Sequence, residues 1–169
     1  GQDGKSTCEE PLGEWKRRVE ANGGAPNIIP FAGHGTLRNK AGIGYDPNPT
    51  REQLEELRRL TAEAMAEGNF GVTSGLEYVP GRVAPFAELV AVAEEVGGAG
   101  GLLMSHVRSE DDDQIEEAYD EFVNQGKVGN CPVHISHMKV TYGKAKQRAE
   151  EILERLEQHR RNGHTITGD

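Results

Sequence analysis

The sequence contains little cysteine and few aromatic residues, and the cysteine count already excludes one class of protein. Its 169 residues include two cysteines, Cys8 and Cys131, and only 5% aromatic side chains. Two cysteines are too few for a disulfide framework, and they show no paired metal-ligand spacing. We therefore expect a reducing, cytoplasmic setting, and the sequence leaves open whether Cys8 and Cys131 pair.

Basic charge and long apolar runs are also scarce. The chain has 19 basic and 28 acidic residues, a formal charge of −9, which argues against binding to nucleic acid or to an anionic membrane surface. No run approaches the roughly 20 apolar residues of a membrane span, and no signal segment opens the chain. We expect neither nucleic acid nor a membrane as a partner.

Glycine is abundant, and counting it as apolar gives the chain enough apolar residues to form a core. Hydrophobic residues make up 35% of the chain, and its 22 glycines bring the apolar share into the usual range of about 45–50%. The length is that of one ordinary domain. The first residue is Gly1 rather than Met, so we expect a chain that was processed or cut from something longer.

Short apolar runs rich in strand-forming residues recur along the chain and alternate with helical patterns. Successive runs begin roughly 30 to 42 residues apart, the length of one strand–helix unit. They lie at 27–33 (NIIPFAG), 69–75 (NFGVTSG), 101–106 (GLLMSH), 131–139 (CPVHISHMK) and 164–169 (HTITGD). The pattern predicts an α/β fold of repeated βα units with parallel strands.

The segments between these runs carry helix-end signals. Thr50 and Gln53 form a capping-box pattern, Pro85 suits a first helical turn, and residues 111–113 put acidic charge at a helix start. Glycines that could end the helices in the left-handed conformation are Gly68, Gly97, Gly126 and Gly163. Residues 9–22 predict one further helix before the first strand.

Two histidines end consecutive strand runs. His106 closes 101–106 and His137 lies near the end of 131–139. Because the carboxyl ends of parallel strands share one rim, the two imidazoles are expected close together, where they could bind one zinc ion. The competing interpretation is a pair of hydrogen-bonded histidines without a metal. Alternation along the strand places His134 on the opposite face, packed against a helix and not a ligand.

Other polar residues follow the same strand ends. Lys139 and Arg108 each stand two residues after a histidine and could hold a substrate carboxylate or cap loop carbonyls. Glu77 and Tyr78 could support the site or anchor a loop, and His34 could line the site. The acidic run 110–113 is expected to be a solvated helix start rather than a metal site.

Five stretches resemble the N-acyl-D-amino-acid deacylases of the amidohydrolase superfamily. They are 1–4 (GQDG), 30–38 (PFAGHGTLR), 71–81 (GVTSGLEYVPG), 105–108 (SHVR) and 135–139 (ISHMK), in order over nearly the whole chain. The resemblance implies a zinc-dependent (β/α)8 barrel that hydrolyses the amide of N-acylated D-amino acids. It implies that His106 and His137 bind zinc and that Lys139 binds the substrate carboxylate. From their positions after strand ends, Tyr78, Arg108 and His34 are expected as further substrate contacts.

The resemblance covers only the middle of such a barrel. It implies one partial barrel domain over 1–169 with about five strands, lacking the first two strands and the last. The family's early His-x-His pair, its cysteine ligand and its catalytic aspartate have no counterpart here, so Cys8 is given no ligand role. We therefore assign no catalytic residue and expect the isolated chain to be inactive.

Two other interpretations stay open at this point. The chain could be a non-catalytic α/β module, which could form a homo-oligomer that covers its open sheet edges. It could also be a doubly wound domain that binds a small molecule, in which case helices would cover both faces of the sheet.

Overall fold

The computed structural model describes Gly4 and residues 11–24, 26–143 and 145–169. The strands are β1 Ala32–Gly33, β2 Gly71–Gly75, β3 Leu102–His106, β4 Val133–Ile135 and β5 Ile166–Gly168. The helices are α1 Leu12–Asn22, α2 His34–Lys40, α3 Arg51–Ala66, α4 Phe86–Gly98, α5 Ile115–Gly129 and α6 Arg148–Arg161, with a 3₁₀ turn at Gly81–Val83. Among these helices, none has the length and apolarity that crossing a membrane requires.

The five strands form one parallel sheet in the order β1-β2-β3-β4-β5. Since each strand lies beside the one before it and parallel crossovers are right-handed, the connecting helices all fall on one face of the sheet. A doubly wound sheet instead reverses its strand order at a switch point, and this sheet has none. The order agrees with five strands of a partial (β/α)8 barrel and removes the doubly wound alternative.

The core lies between the sheet and this layer of helices. Val72, Leu103, Val133, Ile135 and Ile166 are buried on the five-stranded sheet, and they belong to one cluster with buried residues of α3, α4, α5 and α6. Alternation along β4 sends Val133 and Ile135 to the helices. His134, between them, therefore belongs to the other face.

Some helix ends agree with the sequence and others do not. Thr50 and Gln53 form the predicted capping box of α3, and Gly68 and Gly163 take positive φ after α3 and α6. Gly97 and Gly126 instead lie inside α4 and α5, so their predicted role was wrong.

Gly100 and Asn130 take the left-handed conformation in their place. The reason is packing: a Cβ on Gly97 would lie 1.8 Å from the carbonyl oxygen of Gly129, and one on Gly126 would lie 2.3 Å from a methyl group of Val133. These glycines let α4 approach α5 and let α5 approach β4.

Three further helix predictions have mixed outcomes. Pro85 is the residue before α4 rather than its first turn, and residues 111–113 precede α5, which begins at Ile115. The first helix is present as α1, while residues 9 and 10 lie outside the described residues, as do Cys8 and residues 1–3.

Candidate metal centre

His106 and His137 meet at the carboxyl ends of neighbouring strands, as the sequence predicts. His106 is the last residue of β3, and His137 follows β4 by two residues. His106 Nδ1 lies 2.9 Å from His137 Nε2. Backbone contacts fix the two positions: Leu76 N–H donates to the carbonyl of His106, and Ser136 N–H donates to the carbonyl of Ser105.

The outer nitrogen of each ring faces a carboxylate. His106 Nε2 lies 2.5 Å from Glu77 Oε2, and His137 Nδ1 lies 2.7 Å from Glu110 Oε1. An ionised carboxylate can only accept hydrogen bonds, so these two nitrogens carry the N–H. The nitrogens that face each other, Nδ1 of His106 and Nε2 of His137, are then the ones oriented to bind a metal ion.

Lys139 completes this group. Its Nζ lies 2.5 Å from Glu110 Oε2 and 2.9 Å from His137 Nδ1. His137 Nδ1 cannot donate a hydrogen bond to Glu110 and at the same time accept one from the Lys139 ammonium. We assign the N–H to Glu110, because that contact is shorter and charge-assisted, and pair Lys139 with the other carboxylate oxygen.

Glu110 corrects one expectation from the sequence. It was expected in a solvated helix start, yet it is 6% exposed and lies five residues before the first residue of α5. Thr141 holds it there, because its N–H and its hydroxyl both donate to the Glu110 carbonyl. Burial raises the pKa of neighbouring Tyr119 to about 12, the charge of Glu110 adds to this, and a hydrogen bond with the Lys139 backbone opposes it.

The donors present suit a transition metal such as zinc. His106, Glu110 and His137 can each offer one ligand atom, and these atoms lie within 4.8 Å of one another. Zinc accepts imidazole nitrogen and carboxylate oxygen, and catalytic sites commonly use three protein ligands and keep a fourth position open. The two imidazoles therefore supply two ligands that suit such an ion, and the Glu110 carboxylate lies beside them.

Tyr78 lies beside the same cluster. Its ring centroid is 4.9 Å from that of His106, and its side chain is partly exposed. Lys139 is also partly exposed. Of the six predicted site residues, the structure thus brings together His106, His137, Lys139 and Tyr78.

His34 has a different environment from the one expected. It is 1% exposed, and its Nε2 lies 2.8 Å from Glu88 Oε1. The same carboxylate oxygen accepts from Arg38 Nε at 2.8 Å. His34 belongs to this buried group between α2 and α4 because Glu88 supplies the partner that a buried imidazole needs.

Arg108 is also engaged away from the histidines. Its Nε and Nη2 bind the two carboxylate oxygens of Glu121 at 2.8 and 3.0 Å, and it donates to the carbonyls of Arg82 and Ala84. These contacts agree with the second of the two expectations, in which Arg108 caps loop carbonyls. The loop that it holds follows β2 and carries Glu77.

His134 corrects a second expectation. Instead of packing against a helix, it contacts β5 and its end: Nδ1 lies 2.8 Å from Thr167 Oγ1 and Nε2 lies 3.2 Å from Asp169 Oδ2. Strand alternation could not be extended from His134 to His137, because β4 ends at Ile135 and His137 has φ of 42°. Hydrogen bonds from the backbone N–H of His137 and then from His134 hold the pKa of Asp169 below its ordinary value.

Known proteins with the same fold and sequence pattern have been described. N-acyl-D-aspartate deacylase of Alcaligenes xylosoxydans xylosoxydans is 32% identical over 144 residues, which cover 85% of this chain and 29% of that protein. D-aminoacylase of the same organism is 30% identical over 155 residues, covering 92% and 32%. No protein-family model matches the sequence.

Solved structures agree with these relatives. N-acyl-D-glutamate deacylase from Bordetella bronchiseptica, complexed with zinc and a phosphonate inhibitor, gives a TM-score of 0.84 at 28% identity and covers 94% of this chain and 33% of that one. A D-aminoacylase described as defining a novel subset of amidohydrolases gives 0.82 at 26% identity, with the same coverage.

Fold and site together define a partial barrel of the amidohydrolase class. The chain spans about a third of the length of the relatives that it matches. Within that class it is a relative of the N-acyl-D-amino-acid deacylases, which confirms the resemblance seen in the sequence.

Proposed function

We propose that this chain provides zinc ligands and a substrate-carboxylate contact for the hydrolysis of N-acyl-D-amino acids. The observation that carries the proposal is the approach of His106 Nδ1 to His137 Nε2, at 2.9 Å, on adjacent strand ends. The relatives, named as deacylases of N-acyl-D-aspartate and N-acyl-D-glutamate, support the reaction and the substrate class.

The residues of the site have different roles in the proposed reaction. His106 and His137 hold the ion, and a bound zinc ion supplies Lewis-acid polarisation of an amide carbonyl. An ammonium group has three N–H donors, so Lys139 can contact Glu110 and a substrate carboxylate together. Tyr78 borders the same space through its ring. We assign no proton-transfer residue in this chain, and its inactivity in isolation stays a prediction.

Zinc binding tests the proposal directly. Equilibrium dialysis is expected to show weak zinc binding by the parent chain and a loss of this binding in the double variant His106→Ala, His137→Ala. His159→Ala is the matched control, since His159 pairs with Asp120 on α5 and not with the cluster. Undiminished zinc binding by the double variant would overturn the proposal.

Substrate binding tests the second half. N-acetyl-D-glutamate is expected to bind the zinc-loaded chain more tightly than its L-enantiomer, as measured by saturation-transfer NMR. Lys139→Met is expected to remove this binding, because it removes the cation that faces the carboxylate. Equal binding of both enantiomers, or no effect of Lys139→Met, contradicts the assignment.

Two broader expectations also stay proposals. One is a cytoplasmic location, which rests on the low cysteine count. The other is a homo-oligomer that covers the open edges at β1 and β5.

A further inference from the structure

Two glutamates contact the histidines in a stepped arrangement. Glu77 follows β2 and contacts His106 at the end of β3, whereas Glu110 follows β3 and contacts His137 after β4. Each strand-end loop thus provides the carboxylate for the histidine of the next strand. The step is possible because neighbouring parallel strands end side by side, with Gly75 in register with His106 and Ser105 with Ile135.

The contacted atoms determine what these carboxylates do. Both glutamates bind the outer nitrogens, Nε2 of His106 and Nδ1 of His137, and leave the facing nitrogens to each other. A carboxylate on the outer nitrogen fixes the ring's tautomer and orientation and makes the other nitrogen a stronger ligand. Loss of such a partner typically weakens metal binding by about 10- to 100-fold.

We propose that Glu77 and Glu110 are positioning residues that set the tautomers of His106 and His137 for metal binding. The inference rests on the proposed zinc site. It gives a role to Glu77 and Glu110, which are not themselves zinc ligands in that proposal.

The geometry favours this role over direct ligation by Glu110. Its Oε1 contacts the outer nitrogen of His137 at 2.7 Å and is 3.7 Å from the outer nitrogen of His106. Its Oε2 is bound by Lys139. Both oxygens are therefore engaged on the side of the rings away from the facing pair Nδ1 and Nε2.

Glutamine variants test the proposal, because they keep the shape of the side chain and remove its charge. Glu77→Gln and Glu110→Gln are each expected to weaken zinc binding about 10- to 100-fold in equilibrium dialysis. Glu117→Gln, on the exposed side of α5, removes the same charge and is expected to leave zinc binding unchanged. Zinc affinities of both site variants within twofold of the parent would overturn the proposal.

Long-range ¹H–¹⁵N NMR of the histidine rings provides the readout that a general loss of structure would not reproduce. The parent, with and without zinc, is expected to carry an N–H on Nε2 of His106 and on Nδ1 of His137. Glu77→Gln is expected to change the signals of His106, and Glu110→Gln those of His137. Coordination of zinc by Nδ1 of His137, or unchanged ring signals in both variants, would refute the assignment.

The two proposals fail in different ways. If the parent binds no zinc, the proposed function fails and the positioning role fails with it. If zinc binds and neither variant matters, only the positioning role fails. Glu77→Gln is expected to disturb folding less than Glu110→Gln, because the side chain of Glu77 is 43% exposed and that of Glu110 is 7% exposed.

Discussion

Glu88 on α4 provides a quantitative test of the buried charges beside the site. Its side chain and that of Arg38 are both 0% exposed, and their N–O distance is 2.8 Å. His34 donates from Nε2 to the same carboxylate oxygen at 2.8 Å. Arg38 also donates to three loop carbonyls, those of Gly44, Asp46 and Pro80.

Replacing Glu88 by glutamine removes the negative charge and leaves the buried Arg38 guanidinium without a counter-ion among the residues that the structure describes. Breaking a buried pair from one side costs about 3–5 kcal/mol. At about 2–4 °C per kcal/mol for a chain of this size, the melting temperature is expected to fall by roughly 6–20 °C. Urea unfolding followed by circular dichroism measures the free energy of unfolding, and calorimetry measures the melting temperature.

The pH dependence gives the same prediction a second measurement. Burial raises the pKa of Glu88, but hydrogen bonds from His34 and Arg38 outweigh it, so the net pKa lies below the ordinary value of 4.5. Since the folded-state value is the lower one, the carboxylate stabilises the fold above about pH 4.5, and this contribution is lost as the pH falls through the folded-state value. The difference between parent and Glu88→Gln is therefore expected to shrink in acid.

Glu94 on the same helix is the matched control for this change. It pairs with Arg58 at the surface, where both side chains are more than a third exposed. Such pairs contribute about 0–1 kcal/mol, so Glu94→Gln is expected to change the free energy of unfolding by at most about 1 kcal/mol. If Glu88→Gln were no more destabilising than Glu94→Gln, the argument from buried charge would be refuted.

Two smaller predictions concern packing and thiol chemistry. Gly97→Ala is expected to lower the free energy of unfolding in urea by about 1–3 kcal/mol, because its Cβ would meet the Gly129 carbonyl. Gly98→Ala, with open space around its Cβ, is expected to be neutral or slightly stabilising. Equal effects of the two changes would contradict the close helix contact. Burial raises the pKa of Cys131 to about 11. In a Cys8→Ser background, mass spectrometry is expected to show alkylation by iodoacetamide at pH 8 roughly a hundredfold slower than for a free cysteine, and a similar rate would contradict its burial.

The sequence predicts the parts of this structure that depend on local pattern. Strand runs, the capping box at Thr50 and the strand-end positions of His106 and His137 all follow from periodicity and residue type, and the structure contains them. The five-stranded parallel order follows from the regular spacing of the runs. These features need only the residues of one unit or its immediate neighbour.

Features that depend on contacts between units could not be predicted in this way. Glu110 is one of four consecutive acidic residues in the sequence, and its contacts with His137 and Lys139 after the next strand are what distinguish it in the structure. His34 could line the site by position, but Glu88, 54 residues away, buries it. The two glycine errors have the same origin, since Gly97 is required by Gly129 on another helix.

The loop that carries Glu77 connects the fold's stability to the geometry of the site. Arg38 binds this loop from one side through the Pro80 carbonyl, and Arg108 binds it from the other through the carbonyls of Arg82 and Ala84. Arg38 is itself held by Glu88. Because Glu77 can contact His106 only if its loop is fixed, the buried carboxylate that stabilises the fold also supports the orientation of the histidine ring.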